Sequence, residues 1–365
     1  MNADALWSRY GSPGAVASPQ TLAALAQLDL EADPADGRPR VSIPAQANIA
    51  ADTVGLHAKG ERADRVSIRF DPCVAGEPCS DITFAELDDA ASRMATMLRG
   101  AGVVPASVVA VHTGARTETV IVHLAIYKLG AIAATLSQLY GPQTIRHVLI
   151  DSAAMVLVTQ DTVWREHAAL RADCPALRQV VVVGSAQADE VGFDAWRSHD
   201  AAGFVPAATQ SEDPALLVYT SGSTGLPKGV LHAHRIVHAY KPTLELFFDL
   251  ELRDQNLVLW TAADWAWIGG LVDVVFPALQ FGHRLIASQH RFEPEWALDF
   301  MQRHGVTHIL LTPTALNRLA QVQRPRERYP DLRLRVAFTG GEPLPGATLR
   351  WLESELGVVC NEGYG

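Results

Sequence analysis

The alternation of apolar and polar positions resolves into a long series of strand and helix signals that begins near Thr83. A helix is predicted over 84–98, stopped by Gly100 and Gly102, followed by an apolar strand at 107–112 and a helix over 118–129 that Gly130 ends. Helices over 141–150 and 162–172 alternate with strands at 155–159 and 180–183, the last a run of valines suited to burial on both faces. An Ala-, Ser- and Gln-rich stretch, 184–211, reads as a linking segment. A second series then opens with a buried strand at 215–219. It continues with helices over 294–304, 314–322 and 346–356 and strands at 307–311, 334–338 and 358–360. No solenoid period and no heptad interrupts this order. Strands alternating with helices of this length predict an α/β fold: two layered α/β subdomains, 46–205 and 206–365, with mostly parallel sheets covered by helices. Residues 1–45, rich in Ala and Pro, form an irregular lead-in with one short helix over 22–28. A ligand is expected beyond the carboxyl ends of the strands.

Composition narrows the function classes. With 48% hydrophobic and 19% charged residues the chain has a globular balance, which excludes a wholly disordered or fibrous protein. Its net charge of -10, with no basic run to track a phosphate backbone, argues against nucleic acid as a partner. Cys73, Cys79, Cys174 and Cys360 are too scattered for a disulfide framework and read as reduced thiols. No signal peptide is read at the start, and Asp273 and Pro277 interrupt the least charged later run, so the expectation is a cytoplasmic protein without a membrane partner.

The densest chemical signal is Tyr219-Thr220-Ser221-Gly222-Ser223-Thr224-Gly225-Leu226-Pro227-Lys228-Gly229, directly after the 215–219 strand. Glycines let the backbone approach a ligand and turn consecutive N–H groups onto an anion, while the hydroxyls and the Lys228 ammonium add donors. That set suits a polyphosphate. It is not a G-x-x-x-x-G-K-[ST] loop, because Pro227 and Gly229 flank Lys228 and a strand is expected to follow, so a flap holds the phosphates and not a helix dipole. His232, His234 and His238 form an H-x-H-x-x-x-H run, but two alternate along a strand and the third lies on the next helix. They are assigned packing and hydrogen bonding behind the loop, and no metal site is assigned.

This loop resembles the signature of the adenylate-forming superfamily, which includes acyl-CoA synthetases, luciferases and the adenylation domains of peptide synthetases. Thr339-Gly340-Gly341-Glu342-Pro343-Leu344 and the terminal Asn361-Glu362-Gly363-Tyr364-Gly365 resemble two further motifs of that family, in the same order. Trp260-Thr261-Ala262-Ala263-Asp264-Trp265-Ala266-Trp267-Ile268-Gly269-Gly270 resembles the acyl-CoA synthetase branch. The resemblance implies that a carboxylate attacks the α-phosphate of ATP to give an acyl-adenylate and pyrophosphate, and that the thiol of coenzyme A then displaces AMP. It implies that Thr220 to Thr224, Lys228 and magnesium meet the charge on the phosphorus. It also implies that Gly341, Glu342 and Pro343 lie on the adenine side, that Glu362, Gly363 and Gly365 line the nucleotide, and that Tyr364 stacks on adenine.

In the acetate-type members a bulky aromatic closes the carboxylate pocket at the position of Gly365, and larger residues stand at those of Gly269 and Gly340. The expected substrate is therefore larger than acetate, a medium-chain fatty acid or an aromatic acid, lined by Trp265, Trp267 and Ile268; turn glycines are the alternative. The resemblance also leads to the expectation that this chain is a fragment of a longer synthetase, inactive alone and with an exposed apolar sheet edge. A short nucleotide-binding protein and an adenylation domain that loads an amino or aryl acid on a carrier protein remain as alternatives. Kinase or dehydrogenase chemistry is disfavoured, since no G-x-G-x-x-G opens a helix after a first strand.

Overall fold

The computed structural model describes residues 28, 30–32, 39–220 and 225–363. The helix expected over 22–28 lies outside them but for Leu28. Two seven-stranded sheets make up the body. The first runs, in spatial order, Lys228–Ala233, Pro214–Thr220, Ile132–Thr135, Val108–His112, Val156–Gln160, Gln179–Val183 and Val191–Gly192. The second runs Val359–Gly363, Val336–Gly340, His308–Leu310, Val258–Thr261, Arg284–Ala287, Val66–Phe70 and Ser80–Thr83. Each is parallel throughout except for one edge hairpin, Pro214–Thr220 with Lys228–Ala233 in the first and Val66–Phe70 with Ser80–Thr83 in the second.

Local chemistry explains the elements. The helix Phe84–Gly100 opens with a capping box: Thr83 Oγ1 accepts the Glu86 N–H (3.2 Å) and the Glu86 carboxylate accepts the Thr83 N–H (2.9 Å). Its buried stripe of Phe84, Leu87, Ala91, Met94 and Leu98 has helical spacing, and its alanines allow close approach to the helix Thr117–Lys128. The strands Val156–Gln160 and Gln179–Val183 are buried along nearly their whole length because both faces are covered, and the valines that dominate them suit that position. One continuous cluster of buried side chains includes Val109, Val158 and Leu216 of the first sheet with Leu259, Leu285 and Phe338 of the second, so the two sheets share a core.

Three expectations need correction. The division at 205/206 is crossed in both directions: strands Val66–Phe70 and Ser80–Thr83 join the second sheet, and Pro214–Thr220 and Lys228–Ala233 join the first. The helix expected over 162–172 is one α-turn, Asp161–Trp164, and a 3₁₀ stretch, Ala168–Asp173; Trp164 is its one buried side chain, too little to hold a longer helix. The linking stretch carries the edge strand Val191–Gly192 and a 3₁₀ turn, Phe193–Ser198, whose buried Phe193 and Trp196 pack on the Phe84–Gly100 helix.

Candidate functional site

The glycine-rich loop connects the two strands of the first sheet's hairpin. Thr220 pairs with Lys228 and Tyr219 with Gly229, so a strand follows the loop as the sequence predicts, and the segment is a flap. Thr220 and Lys228 stand exposed at its mouth; Gly225 takes φ +105°, a left-handed conformation that favours glycine. Ser221, Gly222, Ser223 and Thr224 lie outside the described residues. Both stems are clamped by residues that the sequence reading missed. His147 donates to the Pro227 carbonyl (2.8 Å), Tyr140 Oη to the Tyr219 carbonyl (3.2 Å), and Tyr219 Oη to the Asp151 carboxylate (2.7 Å). Burial, and then the Asp151 carboxylate, push the Tyr219 hydroxyl well above the ordinary phenol value, so it stays a donor. At Gly229 a Cβ would lie 2.9 Å from Leu217 Cδ1 and 3.2 Å from Tyr219 Cζ, so a larger residue would crowd this clamp.

In the second sheet the Gly340 strand end pairs with Gly363. A Cβ on Gly340 would come 2.8 Å from the Gly363 carbonyl oxygen, so close backbone approach accounts for this glycine independently of any acyl pocket. Gly341 follows at φ +91° and turns the chain. Glu342 fixes that turn by accepting from Thr314 N (3.1 Å) and Thr314 Oγ1 (2.5 Å), and the Glu362 carboxylate accepts the Leu344 N–H (3.0 Å). Pro343 lies between these two anchors. Gly363 packs on the stacked rings of Phe247 and Phe338, whose centroids are 3.9 Å apart. Tyr364 and Gly365 lie outside the described residues.

Between the sheets runs the segment 262–270. Asp264 organises it, accepting Ser137 Oγ (2.5 Å) from the first sheet's side and the Ala266 N–H (2.9 Å); Thr135 Oγ1 donates to the Ala266 carbonyl (2.7 Å). Trp267, half-buried, meets Tyr140 edge-on at 6.0 Å and thereby joins this segment to the base of the flap. Ile268 is half-buried, whereas Trp265 is fully buried in the shared core. A Cβ on Gly269 would find nothing nearer than Leu310 Cδ2 at 3.9 Å, while one on Gly270 would strike the Asp264 carbonyl oxygen at 2.5 Å. Beside this segment, at the carboxyl ends of strands from both sheets, lies a cavity of about 180 Å³ lined by Gln138, Leu139, Thr261, Asp264, Gln289 and Trp296. Trp265, Trp267 and Ile268 do not line it. Larger hollows of about 660 and 510 Å³ lie elsewhere, so volume alone does not select the site.

The histidine run behaves as packing. His234 is fully buried, accepts the Ile49 N–H (3.2 Å), and is held down to about 4 by burial; His238 instead meets Asp52 (3.0 Å). The flap strand also presents apolar surface, with Leu231 56% exposed. Among the described residues no helix is long and apolar enough to cross a membrane.

The structure thus brings a donor-rich flap and the 262–270 segment to one end of the shared core, with the glycine turn at the corresponding strand ends of the second sheet. Comparison with known proteins agrees with that arrangement. Residues 57–365 match the AMP-binding enzyme family. An acetyl-coenzyme A synthetase of Mycolicibacterium smegmatis is 27% identical over 338 residues, covering 85% of this chain and 35% of that protein. An acetyl-coenzyme A synthetase of Methanothrix thermoacetophila is 29% identical, covering 86% of this chain and 50% of the relative. A crystallised acyl-CoA synthetase of Brucella canis superposes with a TM-score of 0.78 at 27% identity, over 94% of this chain and 61% of its own. The chain therefore spans about half the length, or less, of these curated relatives.

Proposed function

The chain belongs to the AMP-binding enzyme family, and from that premise we propose that the protein is an ATP-dependent acyl-CoA synthetase acting on a carboxylic acid larger than acetate. The observation that carries the reading is the clamped hairpin flap, which presents Thr220 and Lys228 together at the end of a buried strand. Curated relatives named acetyl-coenzyme A synthetase and a structural neighbour named acyl-CoA synthetase support the reaction class.

In the first step a carboxylate oxygen attacks the α-phosphorus of ATP and pyrophosphate leaves. In the second, the coenzyme A thiolate attacks the acyl carbonyl and AMP leaves. Magnesium enters bound to ATP, as part of the substrate. The Lys228 ammonium and the Thr220 hydroxyl act on the phosphates, where fixed donors stabilise developing charge more than water does. Ser221, Gly222, Ser223, Thr224 and Gly225 supply the rest of the cradle. The turn Gly341, Glu342 and Pro343 takes the adenine side; because both Glu342 and Glu362 already hold backbone, their contribution is to shape the turn. Glu362, Gly363, Tyr364 and Gly365 complete the nucleotide wall. Trp267 and Ile268 border the acid, Trp265 supports them from the core, and Gly269, where an added Cβ would meet only Leu310 Cδ2 at 3.9 Å, supports an acid with bulk beyond a methyl group.

Pyrophosphate exchange by the whole protein tests this. ATP–pyrophosphate exchange driven by hexanoate or benzoate more efficiently than by acetate, with thioester formed on adding coenzyme A, is the expected result. Preference for acetate would overturn the large pocket, and exchange without any thioester would favour loading of a carrier protein.

A further inference from the structure

Outside the flap and the segment 262–270, the loop 71–79 that joins strands Val66–Phe70 and Ser80–Thr83 carries a cluster the reaction does not use. Asp71, Cys79 and His304 converge there, one ligand atom from each lying within 4.8 Å of the others. Asp71 and His304 are buried, their side chains 8% and 5% exposed, and His304 closes the helix Pro294–His304 from the opposite side of the loop. His304 Nε2 lies 2.7 Å from Asp71 Oδ2, while its other ring nitrogen, Nδ1, is buried without a partner.

We propose that Asp71, Cys79 and His304 form a binding site for a zinc-type divalent cation, with the fourth position taken by water. One carboxylate oxygen, one thiolate and one imidazole nitrogen are a donor set suited to a borderline-soft, tetrahedral ion and poorly suited to magnesium or calcium, which take oxygen ligands. Ligands of tetrahedral zinc lie about 3.5 Å apart at Zn–N and Zn–S distances of about 2.0 to 2.3 Å. Asp71 Oδ2 and His304 Nε2 stand at the hydrogen-bond distance of 2.7 Å, so an ion between them replaces that bond and parts the two atoms by a little under 1 Å, while the exposed Cys79 turns toward them. Arg303 shares Asp71 (3.1 Å) but keeps a second partner, Asp299 (2.8 Å), so it has a carboxylate to retain when a cation takes its place. The Cys73 N–H holds the other oxygen, Asp71 Oδ1 (2.7 Å), and orients the carboxylate. On binding, Cys79 gives up its thiol proton to solvent, and the neutral His304 imidazole keeps its single ring proton on the nitrogen that does not coordinate. The ion would clip the 71–79 loop to the end of the 294–304 helix.

Cobalt and zinc titrations of the chelator-stripped full chain provide the test. One equivalent of Co²⁺ should give a thiolate-to-cobalt charge-transfer band that zinc abolishes. Cys79→Ser should remove the band and weaken zinc at least about 10-fold, the loss typical of removing even a partner of a ligand. His304→Gln should weaken zinc comparably, and Cys360→Ser should change neither reading. Because His304 is buried, its variant risks misfolding; Cys79→Ser alters an exposed side chain and decides the matter alone. Absence of saturable one-to-one binding, or a band and affinity that survive Cys79→Ser, overturns the site.

Discussion

Lys228 and Asp273 show how the same sequence signal, one charged side chain, acquires opposite meanings from its surroundings. Lys228 is exposed at the flap mouth, and no described residue forms an ion pair with it. Lys228→Ala should therefore leave the melting temperature nearly unchanged. In the whole enzyme it should lower kcat/KM toward ATP by one to two decades, the effect of losing a charge-assisted hydrogen bond of about 1.5 to 3 kcal/mol; undiminished efficiency would remove Lys228 from the reaction. Asp273 sits in the π-helical turn Leu271–Val275, 7% exposed, with Oδ1 unpartnered, and burial raises it to about 7. Its folded value lies above its unfolded one, so its contribution to stability is full in acid and is lost as pH rises from about 4 through 7. Asp273→Asn should therefore stabilise the protein at pH 8 by roughly 1 to 3 kcal/mol and have little effect near pH 4, read from urea midpoints. Equal midpoints at pH 8 would mean that water reaches the carboxylate. The flap was legible because its glycines, hydroxyls and lysine are contiguous. The His147, Tyr140 and Asp151 side chains that clamp it were not, since each is an ordinary residue whose partner lies some 70 to 80 positions away.

Elements were legible where a buried stripe repeats. The 84–98 and 294–304 helices were readable from apolar spacing; the structure adds the Thr83 cap that opens one and Gly305, in the left-handed region, that ends the other. The 162–172 helix failed because propensity without an apolar stripe does not hold a helix together. Glycine is the least legible residue at this scale, since the same letter marks two opposite environments in the site. Gly269→Ala places its methyl group in ordinary contact and should alter stability by less than about 0.5 kcal/mol. Gly270→Ala drives Cβ against the Asp264 backbone and should cost about 1 to 3 kcal/mol, as overpacking does. Thermal melts of the two variants separate the readings: equal losses would mean that the 268–270 turn yields freely and does not rigidly position Trp267 and Ile268. Gly340 belongs with Gly270, not Gly269, because what its Cβ meets is also backbone.

At the scale of the whole molecule, the alternation of elements announces two covered parallel sheets, but which strand joins which sheet is not a local property. Strands 66–70 and 258–261 carry much the same signal as 108–112 and 132–135, and only long-range packing sorts them. That packing buries His112, His123, His234 and His283, whose imidazoles burial lowers to about 4, 3, 4 and 4 respectively. His308 belongs with them: burial, and then Arg335, lower it to about 3 although the Glu251 carboxylate stands 3.2 Å away. A histidine whose folded value lies below its unfolded value of 6.5 contributes stability that is present above 6.5 and is lost as pH falls toward the folded value. Each such group weakens the fold by up to about 1.4 kcal/mol per pH unit in that window. Asp273 works in the other direction, one group against five. Net stability should therefore fall between pH 7 and pH 5, before carboxylates titrate in the unfolded chain, and fall more steeply in Asp273→Asn, which lacks the opposing group. Urea unfolding at the two pH values checks both slopes. A flat profile in the native chain would show that these imidazoles reach solvent, and with it that the core uniting the sheets is looser than a rigid platform for the flap requires.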